Sequence, residues 1–116
     1  MTRTEYNKLV RSKTFDVIEQ NGNTPDGTEY NWNDPKLKEL FKKKLIEETQ
    51  ELIEARASDE IVEEAADVVQ VVLDYLSIYD ITAEQLNIVM QAKEIKRGTF
   101  FNYHKHVLYL KHVDNK

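Results

Sequence analysis

The sequence predicts an all-α fold, an antiparallel helical bundle flanked by extended N- and C-terminal segments. Apolar residues recur at three- and four-residue steps through the middle of the chain, as Leu37, Leu40, Phe41, Leu45 and Leu52 do. Turn formers are scarce, with 3 Gly and 2 Pro in 116 residues, whereas Glu, Lys, Leu and Val abound. That composition suits long helices rather than the short strands of a sandwich.

Residues 5–11 read as extended, and Ser12 is placed to cap a short helix that runs to about Asn21 and stops at Gly22. Residues 22–33 form a long polar connection carrying Tyr30 and Trp32, two aromatics suited either to stacking on a base or to filling a subunit interface. Asp34-Pro35 reads as N-cap and first position of a long amphipathic helix ending near Arg56. Ser58 is the expected cap of the next helix, with Asp59 and Glu60 in its first turn, where the dipole favours acids. Beyond Val68 that helix is apolar nearly all round (Val69, Val71, Val72, Leu73, Tyr75, Leu76). Such a helix needs cover on more than one side, which predicts a homo-oligomer. Thr82-Ala83-Glu84-Gln85 is a capping box that opens a further helix, on which Leu86, Val89, Met90, Lys93 and Arg97 share the expected inner line and which Gly98 ends. Val107–Leu110 is either a short strand able to pair with residues 6–10 or an extended arm.

The size, 13.7 kDa, fits one domain over residues 1–116. A formal charge of -5 weighs against nucleic acid or an anionic membrane as partner, because both attract excess positive charge. The chain has no Cys, so disulfides, thiolate metal sites and cysteine nucleophiles are excluded. No apolar run approaches the ~20 residues that span a bilayer, and no secretory signal opens the chain, so a cytoplasmic location is expected.

Two acidic groupings stand out: Glu47-Glu48-x-x-Glu51 and Glu64-x-x-Asp67, with twelve residues between Glu51 and Glu64. Helical positions three apart lie on one face, so each pair aims at a point. Glu48 interrupts the line Phe41, Leu45, Leu52, and Glu64 interrupts Ile61, Ala65, Val68, Val72. Isolated carboxylates on core-facing stripes are costly. Antiparallel helices would let Glu48, Glu51, Glu64 and Asp67 converge on a hard cation, for which all-oxygen ligation indicates Mg²⁺, with Mn²⁺ as second choice. Glu54, Glu60 and Glu63 read as plain solvated acids.

A divalent ion among carboxylates commonly holds a phosphate ester. Lys93, Lys96 and Arg97 supply candidate phosphate contacts, as do Arg11 and Lys13; the alternative for each is dipole compensation or balance of surface acids. His104, His106 and His112 read as surface or packing residues.

This ordered set resembles the all-α nucleoside triphosphate pyrophosphohydrolases, the MazG-like proteins and their relatives. Tyr6-Asn7-Lys8-Leu9-Val10-Arg11 and Lys93-x-x-Lys96-Arg97-Gly98-Thr99-Phe100 are similar to the opening and closing segments of the branch related to phosphoribosyl-ATP pyrophosphohydrolase. The resemblance implies Mg²⁺-dependent hydrolysis of a nucleoside triphosphate to monophosphate and pyrophosphate, and leaves open house-cleaning of aberrant nucleotides or regulation of a nucleotide pool as the role. It implies Glu48, Glu51, Glu64 and Asp67 as metal ligands, and Glu47 as the acid that orients or deprotonates water. Lys8, Arg11, Lys13, Lys93, Lys96 and Arg97 match phosphate contacts. It also implies a homodimer or homotetramer. Ser12, Thr99 and Asp74 depart from residues usual in those branches. The rivals are a phosphoribosyl-ATP pyrophosphohydrolase of histidine biosynthesis, a catalytically silent nucleotide- or metal-binding module, and a helical interaction protein.

Overall fold

A computed structural model describes residues 2–116. Its elements are four helices, α1 (Thr14–Gln20), α2 (Leu37–Glu54), α3 (Ser58–Ser77) and α4 (Ala83–Arg97), with no strand among the described residues. The chain divides into two compact units, one ending at Asp80 and one comprising Ile81–Lys116.

The first unit is built on an antiparallel hairpin of α2 and α3. Its direction shows in the contacts: Lys38, near the start of α2, lies 4.6 Å over the ring of Tyr79, just past the end of α3. At the other end of the hairpin, Glu48 meets Glu64 and Asp67. Asp34 and Pro35 stand in a turn just before α2, not at its N-cap and first position: Lys36 is the N-cap, and Asp34 Oδ1 accepts from the Lys36 amide at 2.9 Å and its carbonyl from the Leu37 amide at 3.1 Å. The helix ends at Glu54 rather than Arg56, because Ala55 turns extended.

Neither predicted serine cap forms. Thr14 is entered from Lys13 with no side-chain cap, so Ser12 lies outside α1. Ser58 is the first residue inside α3; Ala57 takes the extended cap conformation, and its carbonyl accepts from the Ile61 amide at 2.9 Å. Exposed helix starts can leave their first amides to water, which lets a residue with no capping side chain stand there. Asp59 and Glu60 do occupy the first turn of α3.

The helix stops follow the sequence more closely. Gly22 has φ +82°, its amide bonds the Glu19 carbonyl at 3.0 Å, and the Asn23 amide bonds Ile18 at 3.1 Å. These bonds make a Schellman stop, in which glycine adopts the left-handed conformation without a Cβ clash. Gly98, at φ +79°, ends α4.

The core of the first unit is thin. Leu37 and Val71 are its buried apolar residues, and Leu40, Phe41, Leu45, Leu52, Ala65, Val68 and Val72 are half-buried. Ile46, Ile53, Val62 and Val69 stay exposed. Of the loop aromatics, Tyr30 is half-buried and Trp32 is 74% exposed.

In the second unit the Thr82–Gln85 capping box forms as predicted, with reciprocal bonds of 2.8 and 3.1 Å. Most of the expected inner line of α4 is exposed. Leu86 is half-buried, but Val89, Met90, Lys93 and Arg97 are exposed. Residues 107–110 form no strand.

Candidate metal centre

Helix polarity makes the acids of α2 conspicuous. Lys36, Lys38, Lys42, Lys43 and Lys44 crowd its N-terminal half, and Glu47, Glu48, Glu51 and Glu54 follow. This order opposes the macrodipole, which favours acids at the start of a helix and bases at its end. The macrodipole therefore does not account for carboxylates at that end, and one of them, Glu48, meets acids of α3.

Glu48 is the pivot. It is only 6% exposed, more buried than any apolar side chain of the core. It belongs to two groups of carboxylates whose oxygens lie within 4.8 Å of one another, Glu47–Glu48–Glu51 along α2 and Glu48–Glu64–Asp67 across the hairpin. Oxygens on opposite sides of a hard cation stand about 4–5 Å apart, given metal–oxygen distances of 2.0–2.6 Å. The spacing already approximates a coordination shell. Glu48 Oε2 and Glu64 Oε2 are buried and have no hydrogen-bond partner. Leaving such oxygens unsatisfied costs about 1–3 kcal/mol each, so the site favours a positively charged ligand.

Three cations compensate part of this charge. Lys44 Nζ is 3.1 Å from Glu48 Oε1 and 3.4 Å from Glu47 Oε2. Lys8 stands 3.6 Å from Glu47, and Arg11 pairs with Asp67. Lys8 and Arg11 come from the irregular N-terminal segment, which is not simply extended, since Asn7 has φ +48°. These three cations stand against five carboxyl groups (Glu47, Glu48, Glu51, Glu64, Asp67), so the acids outnumber their basic partners. Burial is the main influence on Glu48 and pushes its carboxyl above the usual range; Lys44 opposes the shift, and Glu51 adds to it.

The predicted ligands Glu48, Glu64 and Asp67 thus share one group, while Glu51 stands with Glu47 and Glu48, exposed on the next turn. Glu54, Glu60 and Glu63 are exposed, as expected of solvated acids. Of the predicted phosphate contacts, Lys8 and Arg11 lie on the acids themselves, and Lys13 is exposed at the start of α1. In the second unit, Lys93, Lys96 and Arg97 lie exposed on α4 beside Ile88, Val89 and Ala92. The sequence reading overlooked Lys44 as a site residue. Its signal was present: a lysine in the apolar stripe, three residues before Glu47 and four before Glu48.

The family model for phosphoribosyl-ATP pyrophosphohydrolase matches residues 15–93, about two thirds of the chain, a span that holds both acidic groupings and ends on Lys93. No curated protein and no solved structure matches the chain.

Proposed function

Since the chain belongs to the phosphoribosyl-ATP pyrophosphohydrolase family, and so to hydrolases that act on phosphoanhydrides, we propose that it hydrolyses a nucleoside triphosphate to the monophosphate and pyrophosphate with Mg²⁺. The observation that carries this reading is the buried Glu48, with an unpartnered oxygen, shared between two converging sets of carboxylates. Glu48, Glu51, Glu64 and Asp67 are the proposed ligands, and Mn²⁺ fits the same oxygen donors. A bound divalent ion supplies Lewis acidity, local charge reversal and a lowered pKa for water.

The chain's own groups do the rest. Glu47 is exposed enough to reach solvent and is the proposed acceptor of the proton from the attacking water. Water adds at the α-phosphorus, the α–β anhydride bond breaks, and pyrophosphate leaves with the bonding electrons. Lys93, Lys96 and Arg97 are assigned to the phosphate oxygens, where fixed positive charge stabilises negative charge as it develops. Lys8, Arg11 and Lys13 are assigned to the same task. For Lys8 and Arg11 this requires exchanging a carboxylate partner for a phosphate, which their exposure permits.

Phosphoribosyl-ATP is the second substrate reading, and the family match favours it equally. Both substrates break the same kind of bond, so the acidic centre does not choose between them. A panel of canonical and modified triphosphates together with phosphoribosyl-ATP, run with Mg²⁺ and with Mn²⁺ and scored for pyrophosphate and monophosphate, separates them. Absence of cation-dependent pyrophosphate release from every member overturns the enzymatic reading.

We take residues 1–116 as one functional domain working in the cytoplasm as a homodimer or homotetramer. Support for assembly comes from the exposed Val62 and Val69 on α3 and from Ile88, Met90 and Ile95 on α4. Sedimentation equilibrium tests it, and a strictly monomeric protein at micromolar concentration contradicts it. No helix of the described residues is long and apolar enough to cross a membrane.

A further inference from the structure

We propose that Lys44 is a built-in counter-cation of the acidic centre, bridging Glu47 and Glu48 and competing with a divalent ion for the Glu48 carboxylate. This rests on the reading of the centre as a cation site and adds what sets its affinity.

Lys44 differs from the other two cations in its burial. Its side chain is 14% exposed, against 38% for Lys8 and 64% for Arg11. Exposed ion pairs are screened and add little, whereas an ammonium held among carboxylates away from bulk water is screened less. Its two partners are distinct residues, at 3.1 and 3.4 Å, so one ammonium ties together the proposed proton acceptor and the shared ligand.

Ordinary helix stabilisation does not explain the pair. Lysine preceding glutamate by four residues is the less favourable order on a helix, and it opposes the dipole. A lysine on the apolar stripe also carries the desolvation cost of its own charge. The arrangement suits a role in which Lys44 occupies Glu48 Oε1 and leaves Oε2, which has no partner, for another cation. With the ammonium about 3 Å from a ligating carboxylate, its repulsion of a divalent ion bound there exceeds a tenfold effect on affinity, even at an effective dielectric constant near 20. Lys44 is therefore a positioning residue that also limits how tightly the free ion is held.

The test is Mn²⁺ binding, measured by electron paramagnetic resonance on the full chain, with Lys44→Met and Lys44→Arg beside the wild type. Lys44→Met is expected to bind Mn²⁺ at least tenfold more tightly and to melt lower in chelator. Lys44→Arg, which keeps the charge, is expected to stay within about threefold of wild type. Unchanged or weaker binding by Lys44→Met, with saturable binding by wild type, overturns the role of Lys44 alone. A wild type that shows no saturable Mn²⁺ binding overturns the cation site and, with it, this proposal. If Lys44→Met is unfolded in chelator, circular dichroism during the Mn²⁺ titration decides: refolding is the expected result, and failure to refold at saturating ion refutes the proposal.

Discussion

Replacing Glu48 by Gln should raise stability in chelator while removing stabilisation by a divalent ion. Glu48 is 6% exposed, and its Oε2 has no partner. Gln keeps the volume and removes the buried charge. The gain is relief of an unsatisfied charged oxygen, about 1–3 kcal/mol, and the loss is one ion pair to Lys44, which keeps Glu47 at 3.4 Å. The balance favours the neutral side chain, because burial, outweighing Lys44, pushes the Glu48 carboxyl upward. A net gain of about 1 kcal/mol corresponds to roughly 4 °C in Tm for a chain of this size. Wild type at a hundredfold excess of ion over Kd gains about 2.7 kcal/mol, or roughly 10 °C, and the variant far less. The order of the two melting curves should therefore invert between chelator and Mg²⁺ at equal protein concentration. The pH dependence has a definite sign. A raised carboxyl pKa contributes stability that is complete below the unfolded value of 4.5 and lost as pH rises through the folded value. In chelator the two proteins should converge below about pH 4.5, where Glu48 is protonated, and separate toward neutrality. Scanning calorimetry with circular dichroism supplies both comparisons. A variant that melts below wild type in chelator, or that gains the full ion shift, refutes the reasoning.

Asp67→Ala loses only a solvent-exposed partner in Arg11, so Tm should move by less than about 2 °C, while pyrophosphate release falls roughly a hundredfold or more; a variant with full turnover contradicts the assigned ligand. Thr82→Ala removes the capping box of α4 and should cost about 1 kcal/mol, read as a lower Tm together with faster amide exchange in the first turn of that helix. Tyr75 shares a 3.2 Å hydroxyl contact with Tyr79, and this contact, its main influence, raises its pKa above the ordinary value near 10. The stability this contributes is complete below pH 10 and lost as pH climbs through the raised value, and Tyr79→Phe should lower that value in an ultraviolet titration of the phenols.

Local periodicity made most of the helices legible. The three- and four-residue spacing from Leu37 to Leu52 needs only the helical repeat to declare itself. The Thr82–Gln85 box and the glycines at 22 and 98 act within four residues of themselves, so their geometry is written in neighbouring letters. Ser12 and Ser58 were misread because many residues can occupy an exposed N-cap, and a serine nearby does not oblige the backbone to start there. The inner line of α4 is an expectation from spacing alone. Its spacing gives it one apolar face, but spacing does not say whether anything in the chain covers that face.

The acidic centre divides the same way. That Glu48 and Glu51 share a face, and that Glu64 and Asp67 do, follows from helical geometry alone, as does the cost of putting Glu48 in an apolar stripe. What the tertiary structure decided is the register of α2 against α3. It makes Glu48 common to both groupings, leaves two carboxylate oxygens without partners, and brings Lys8, Arg11 and Lys44 onto the acids. A contact between residues far apart in sequence, such as Arg11 with Asp67, depends on how two elements pack, and packing is settled by the summed fit of many side chains. The chain spells out which charges share a helix face; only folding determines which of them must neutralise one another.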